Sequence, residues 1–264
     1  MATIDQSSDI EVSEEVIEKV SSPETLSIWG LAWPSIIANI LFAAVGIVGL
    51  KAVGALGTEA LAAVGTGQRI FFVIQSLIMA VSTGTTALIA RAYGSGKKNE
   101  AAQVLFDSLW IGVILGLCTT FIVWIYGEDI IGLFGLNEQS KNLAIDYLKY
   151  SMLFSAMFSA SFIFGAALRA AGDAKTPLVI MIFQNIINVF LLIGLVNGSF
   201  GLPNLGVLGA ALAWGISFTI GTIIFFFLWL SKLTIIPFPN FNSFNTNRIK
   251  SVSYTHLRAH ETLL

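Results

Sequence analysis

Long apolar runs separated by short polar stretches dominate the hydropathy pattern of this chain. Six of these runs contain few or no charged residues: 26–50, 70–90, 108–126, 151–168, 178–200 and 205–230. Each approaches the ~20 residues that an α-helix needs to cross the hydrocarbon core of a bilayer. The runs are continuous, whereas the strands of a membrane barrel would alternate in polarity. The pattern therefore predicts an all-α polytopic membrane protein with six transmembrane helices.

The composition agrees with this class of protein. The chain has 264 residues, of which 55% are hydrophobic and 11% are charged, and its mean hydropathy is +0.80. A soluble domain contains roughly a quarter charged residues, so these charges are too few to cover a water-facing surface. The net charge of −2 gives no basic excess for a nucleic-acid partner. Cys118 is the single cysteine, which excludes a disulfide within the chain.

Basic residues are concentrated in alternate loops between the predicted helices. The loop after the second helix contains Arg91, Lys97 and Lys98, and the loop after the fourth contains Arg169 and Lys175. The loop after the third helix is acidic, and the loop after the fifth is uncharged. Cytoplasmic loops have an excess of Lys and Arg. We therefore predict a multi-pass protein of the cell inner (cytoplasmic) membrane, with both termini in the cytoplasm.

The same pattern divides the chain into four parts. We expect an acidic cytoplasmic tail, a six-helix unit, a cytoplasmic linker and a C-terminal tail, at 1–25, 26–230, 231–251 and 252–264. The first tail has no basic segment at its start, so it does not match a signal peptide.

Amide side chains inside or near the apolar runs are candidate contacts for a substrate or for the lining of a cavity. They are Asn39, Gln68, Gln184, Asn185 and Asn188. Gln184 and Asn188 are one helical turn apart and share a face of the fifth helix. Amides inside a membrane protein either line a polar cavity or join helices by hydrogen bonds, and the sequence leaves both alternatives open.

Three other residues stand out within the apolar runs. Pro34 removes a backbone hydrogen bond and is expected to bend the first helix, and broken helices often border transport sites. Lys51, at the outer end of that helix, either extends its ammonium group to the interface or acts in gating. Asp107, near the predicted start of the third helix, either interacts favourably with the helix dipole or is a functional membrane charge.

The sequence does not point to catalysis or to nucleotide binding. The stretch GSGKK at 94–98 has neither the first glycine nor the Ser or Thr of a phosphate-binding loop. Paired intramembrane carboxylates and Ser–His or His–Glu sets are also missing, so we expect no enzyme, no metal site and no cofactor. Transport without a nucleotide site would have to use an ion gradient or a partner.

Five stretches resemble, in order and in spacing, the multidrug and toxic compound extrusion (MATE) transporters. They are LAWPSIIANIL, GALGTEALAAVG, ALIARAYGSGKKNEAA, LRAAGDAKTPL and NLGVLGAALAWG, and the match extends over about 26–230. The resemblance implies two six-helix lobes around a central cavity, of which this chain is the N-terminal one. It implies export of organic cations or amphiphilic compounds by antiport with protons or sodium. The implied partners are a small-molecule substrate, the lipid bilayer and the missing C-terminal lobe, without nucleic acid.

The chain departs from this family at the positions of its cation site. Many relatives have an aspartate where alignment places Gly49. Others use an Asn and an Asp one turn apart in the fifth helix, where this chain has Asn188 and Leu192, and a threonine where it has Trp214. The resemblance therefore leaves the coupling ion, H+ or Na+, without an identifiable site in this half.

Two other functions remain open at this level. One is a lipid-linked saccharide flippase of the same superfamily, for which only Lys51 and Arg69 would supply the cationic cavity expected for a pyrophosphate group. The other is a non-transporting six-helix membrane scaffold. The acids of the second lobe would distinguish these alternatives.

Residues 252–262, VSYTHLRAHET, resemble the translation of a sequencing adapter. The resemblance implies that the authentic protein sequence stops near Ser251 and that the tail is non-native. His256 and His260 would then be adapter-derived and not a metal-binding pair.

Overall fold

The computed structural model of the protein describes residues 28–239. The described residues form seven α-helices and one short 3-10 helix, and they contain no strand. The α-helices are α1 Ile28–Gly54, α2 Thr58–Gly94, α3 Lys98–Gly132, α4 Glu138–Leu153, α5 Ser155–Ala170, α6 Lys175–Asn197 and α7 Gly206–Leu230. The predictions for 1–25, for the part of the linker after residue 239 and for 252–264, including His256 and His260, lie outside these residues.

The predicted all-α membrane class is confirmed, but the limits of several helices are wrong. The second and third helices extend well beyond the predicted runs 70–90 and 108–126, because α2 begins at Thr58 and α3 covers Lys98–Gly132. Hydropathy detects only the part of a helix that is apolar all round. The ends of α2 and α3 are polar on one side. The helical turns at these ends were therefore wrongly predicted to be loops.

The fourth span is the largest correction. The sequence predicts one helix at 151–168, whereas the structure has α4 and α5, which are bent by 52° at Phe154. The side chain of Asn137 caps α4 by accepting a hydrogen bond of 2.8 Å from the backbone N–H of Ser140. The first half of this span is polar, and hydropathy therefore did not reveal α4. Between residues 28 and 239, five helices are long and apolar enough to cross a membrane, and the number of spans is six if the bent pair counts as one.

The helices form a bundle with one weakly covered member. Helices α2, α3, α4 and α5 pack together on one side, and α6 packs along α7 on the other. Helix α1 rests mainly on α6, and only 6% of its most apolar window is buried. Apolar side chains such as Ile47, Phe121 and Val73 cover the outside of the bundle, as a lipid-facing surface requires.

The turn between α5 and α6 sets these two helices antiparallel. Gly172 has a φ of 98°, a conformation that favours glycine. The Asp173 Oδ1 atom then accepts hydrogen bonds from the backbone N–H groups of Lys175 and Thr176 at 3.1 and 3.0 Å. Pro177 follows in the first turn of α6, where its missing N–H is not needed. The GDAKTP segment is therefore a helix-capping turn.

The first residues of the predicted linker pack back onto the bundle. The Trp229 indole N–H donates a hydrogen bond of 3.1 Å to the backbone oxygen of Pro237. Ile236 is fully buried in the apolar cluster that α2, α3, α5 and α7 form at this end. Residues 231–239 therefore cover the end of the bundle where the basic turns lie.

The predicted orientation has a direct test. After Cys118→Ala has removed the native thiol, single cysteines at Ser95 and Gln139 should react with a membrane-impermeant maleimide from opposite sides of the membrane. Ser95 lies between α2 and α3, and Gln139 lies at the start of α4, next to the capping residue Asn137. Ser95 should be labelled only in inside-out vesicles. Labelling of both cysteines from one side would disprove the predicted topology.

Candidate functional site

The α6 amide Gln184 lies inside the helix bundle. Its side chain is 5% exposed, and its Nε2 group donates a hydrogen bond of 3.1 Å to Ser161 Oγ on α5. The same amide lies directly against Gly221 of α7, where a Cβ atom would collide with it. Gln184 therefore joins α6 to α5 and fills a space that exists because position 221 is glycine.

Asn188 makes a similar link one turn further along α6. Its side chain is 7% exposed, and its Nδ2 group donates a hydrogen bond of 3.3 Å to Ser217 Oγ on α7. The Ser217 hydroxyl in turn donates to the backbone oxygen of Trp214 at 2.8 Å. Of the two possible roles of these amides, the geometry of Gln184 and Asn188 supports hydrogen bonding between helices.

The other predicted amides lie in different surroundings. Asn185 is half-buried, and its Nδ2 atom is buried without a hydrogen-bond partner. Asn39 on α1 and Gln68 on α2 are exposed side chains. The structure therefore divides the five amides into a buried pair, one intermediate residue and two surface residues.

The remaining predicted residues are also located. Pro34 is buried, and α1 continues through it. Lys51 is exposed in the last turn of α1, as the interface interpretation requires. Asp107 is half-buried and lies more than two turns inside α3, because that helix begins at Lys98. The proposed interaction of Asp107 with the helix dipole is therefore wrong, since that effect fades within the first turn.

The two positions at which the family resemblance implies an acid form an apolar contact. A Cβ atom at Gly49 would lie 3.8 Å from Leu192 Cδ2, so these two positions on α1 and α6 face each other. Leu192 is 5% exposed. Helices α1, α6 and α7 contain no Asp or Glu. Within residues 28–239, no group of three His, Cys, Asp or Glu side chains is arranged to hold a metal ion.

Five rings form a cluster that the sequence analysis missed. This aromatic cluster consists of Phe71 on α2, Phe158 and Phe162 on α5, and Trp214 and Phe218 on α7. The Trp214 ring stacks on Phe158 with 5.1 Å between centroids and meets Phe71 edge-on at 4.7 Å. Rings thus connect α2 to α7, although the two backbones do not pack closely along their length. Phe162, Trp214 and Phe218 are half-buried, so part of the cluster remains accessible.

The sequence contains a weak signal for this cluster. Phe158 and Phe162 are four residues apart, as are Trp214 and Phe218, so each pair shares one face of its helix. Such pairs are common in apolar helices. Only the packing of α2, α5 and α7 shows that both pairs and Phe71 meet.

Comparison with known proteins gives matches along most of the six-helix unit. The family model described as MatE matches residues 34–193. The chain is 31% identical over 192 residues to "Probable multidrug resistance protein NorM" of Thermotoga maritima, covering 72% of this chain and 41% of that protein. It is 33% identical over 233 residues to "Probable multidrug resistance protein YoeA" of Bacillus subtilis strain 168, covering 84% of this chain and 49% of that protein.

A solved structure shows the same fold. The chain superposes with a TM-score of 0.79 on the "Outward-facing conformation of a multidrug resistance MATE family transporter of the MOP superfamily". The two sequences are 24% identical, and the match covers 86% of this chain and 50% of that one. The chain therefore spans about half the length of the relatives that it matches.

Proposed function

Because the chain belongs to the MATE family, we propose that it forms one six-helix lobe of a secondary exporter of organic cations or amphiphilic compounds. The exchanged ion is a proton or sodium, and the second lobe is a six-helix unit of the same protein. The two relatives named above are each called a probable multidrug resistance protein, which supports this substrate class. The basic turns after α2 and α5 support a cytoplasmic location for both ends of the lobe.

The aromatic cluster is the observation on which the proposed substrate class rests. Its half-buried rings offer flat apolar faces to a molecule entering between α2 and α7. The electron-rich faces of Trp and Phe attract organic cations without fixing the position of one charged group. Such a surface suits substrates that share an aromatic ring and a positive charge but differ in shape.

We propose that the coupling acids lie in the second lobe. Support comes from the apolar contact between Gly49 and Leu192, because the family resemblance implies an acid at the first position in many relatives and at the second position in others. Asp107 lies within α3, and it already has an interaction partner. The buried amides Gln184 and Asn188 would then hold α6 in place during transport.

Ethidium efflux from bacteria without their main exporters tests this proposal. In the full-length protein, meaning this lobe joined to its second lobe, Trp214→Ala should raise ethidium accumulation several-fold, because it removes the central ring of the cluster. Trp110→Ala is the matched control, since Trp110 is 55% exposed on the outside of α3. The control should export ethidium as the unaltered protein does.

The same assay identifies the coupling ion. Collapse of the proton gradient by a protonophore, or of the sodium gradient by a sodium ionophore, should abolish export in one case only. Export that persists after both treatments would disprove antiport. Equal activity of the Trp214 and Trp110 variants at equal expression would show that the aromatic cluster does not bind substrate.

A further inference from the structure

A cavity of about 570 Å³ lies between the end of α2 and the turn that joins α5 to α6. Ala90, Tyr93 and Gly94 form one wall, residues 170–175 form a second, and Ile235 contributes from the segment after α7. Ligand pockets in proteins typically enclose about 300–1,000 Å³, so the space is large enough to hold a ligand. No ring of the aromatic cluster lines this cavity, which is therefore separate from the proposed transport surface.

The cavity lies at the level where the apolar runs of three helices end. The run 70–90 on α2 ends at Ala90, the run 151–168 on α5 ends just before the second wall, and the run 178–200 on α6 begins just after Lys175. Tyr93 is half-buried in the wall, and tyrosine is enriched where a bilayer meets water. The cavity is therefore placed in the headgroup layer of the bilayer.

The wall at 170–175 presents two opposite charges, those of Asp173 and Lys175. Within residues 28–239, neither side chain forms an ion pair. The two backbone N–H groups that Asp173 caps hold its carboxylate in place, and the Lys175 side chain is exposed. A ligand that carries both a negative and a positive group would complement this pair of charges.

Neighbouring cations do not make the cavity a basic pocket. Among the described residues that line it, Lys175 is the one basic residue. The Lys98 Nζ atom lies 5.6 Å from the centroid of the Tyr93 ring. The Arg169 guanidinium folds back along α5, because its Nη1 atom would lie 3.2 Å from a Cβ atom at Gly165. With one acid and one base in the wall, a purely anionic ligand would leave the Asp173 carboxylate without a counter-charge.

An apolar stripe leads from the cavity into the membrane along α6. Val179 and Phe183 follow Lys175 at intervals of four residues, so the three side chains share one face of the helix. Val179 is 63% exposed and Phe183 is 46% exposed. A ligand with its charged group in the cavity could therefore lay a hydrocarbon chain along this face, which favours a lipid over a soluble molecule.

We propose that this cavity binds the headgroup of phosphatidylethanolamine. The lipid phosphate accepts a charge-assisted hydrogen bond from Lys175 Nζ, and the ammonium group donates to the Asp173 carboxylate. Phosphatidylcholine fits less well, because its trimethylated nitrogen has no N–H to donate. Phosphatidylglycerol fits less well, because it has no positive group for Asp173. The bound lipid would connect the end of α2 to the α5–α6 turn, and this role does not rest on the proposed transport function.

Thermal unfolding of the purified full-length protein in detergent tests the site, with the three lipids added separately as dioleoyl forms. Phosphatidylethanolamine should raise the unfolding midpoint by several degrees, and the other two should raise it less. Asp173→Asn and Lys175→Gln should each remove most of this rise. Asparagine still accepts the capping hydrogen bonds at position 173, so the turn should survive the first change. Lys175 is exposed, so the second change should not affect folding.

Matched controls make the same chemical changes at the opposite end of the bundle. Asp129→Asn, near the end of α3, and Lys141→Gln, at the start of α4, should respond to phosphatidylethanolamine as the unaltered protein does. An equal rise with phosphatidylcholine or phosphatidylglycerol would overturn the proposal, as would an undiminished rise in both site variants. The same rise with soluble phosphoethanolamine at the same concentration would replace the lipid by a free zwitterion. None of these measurements requires transport, so the lipid site and the exporter function can fail independently.

Discussion

Leucine in place of Gly116 is expected to prevent stable folding of the full-length protein. At this point α3 approaches the α4–α5 break so closely that a Cβ atom would lie 2.6 Å from Ala156 Cα and 2.7 Å from its backbone nitrogen. Ser155 Oγ also donates a hydrogen bond of 2.6 Å to the Gly116 oxygen. These neighbours are backbone atoms, which cannot turn aside as a side chain does. Overpacking of this kind typically costs about 1–3 kcal/mol, and for a leucine against backbone we expect at least about 3 kcal/mol.

Gly46→Leu is the matched control for this substitution. Gly46 also lies within a helix, α1, but a Cβ atom there would meet nothing within 4 Å. Leucine is a better helix former than glycine by roughly 0.5–1 kcal/mol, so the control should be neutral or slightly stabilising. Fluorescence-detected size-exclusion chromatography and thermal unfolding would measure both variants. A monodisperse Gly116→Leu protein with an unchanged midpoint would show that the close approach of α3 and α5 is wrong.

This chain, produced without a second lobe, is expected to give no ethidium efflux above that of an empty vector. It spans about half the length of its relatives, 41% of one and 49% of another. Alternating access needs two lobes that move against each other around a substrate, and one lobe supplies only one wall. The full-length protein should restore efflux in the same strain. The expected difference between the two proteins is therefore complete: the full-length protein exports ethidium and the chain alone does not.

The experiment must distinguish a chain that is present but inactive from a chain that does not reach the membrane. A C-terminal fluorescent tag would show that the chain reaches the membrane at a level similar to that of the full-length protein. Efflux by the chain alone would contradict the prediction. Cysteine cross-linking between two copies would then show whether a homodimer replaces the pair of lobes.

Much of the fold was predictable because of the energetic demands of lipid. A helix that crosses hydrocarbon must be apolar over ~20 residues, and this requirement is visible in 26–50, 178–200 and 205–230 without any knowledge of packing. The matching helices α1, α6 and α7 begin and end within a few residues of these limits. The turn at Asp173 and Pro177 was likewise predictable, because capping depends on neighbours in sequence.

Predictions from hydropathy failed where one helix is shielded by another. Helix α4 has a polar side and was hidden, while the ends of α2 and α3 were shortened, because burial inside a bundle relaxes the demand for apolar residues all round. No proline or glycine lies at the bend at Phe154, so the sequence gives no signal for it. Hydroxyl groups from α3 and α7 stabilise it, and these are remote in sequence from the break.

The sequence by itself therefore determined the apolar centres of the membrane spans, the family and the identity of the polar residues inside those centres. Only the tertiary structure decided what those residues do. In the folded bundle, Gln184 and Asn188 link helices by hydrogen bonds. Gly49 and Leu192 form an apolar contact, and five aromatic residues that are distant in sequence form one cluster. The reason is physical: transfer into lipid depends on each segment alone, whereas hydrogen bonds and ring contacts depend on which helix faces meet.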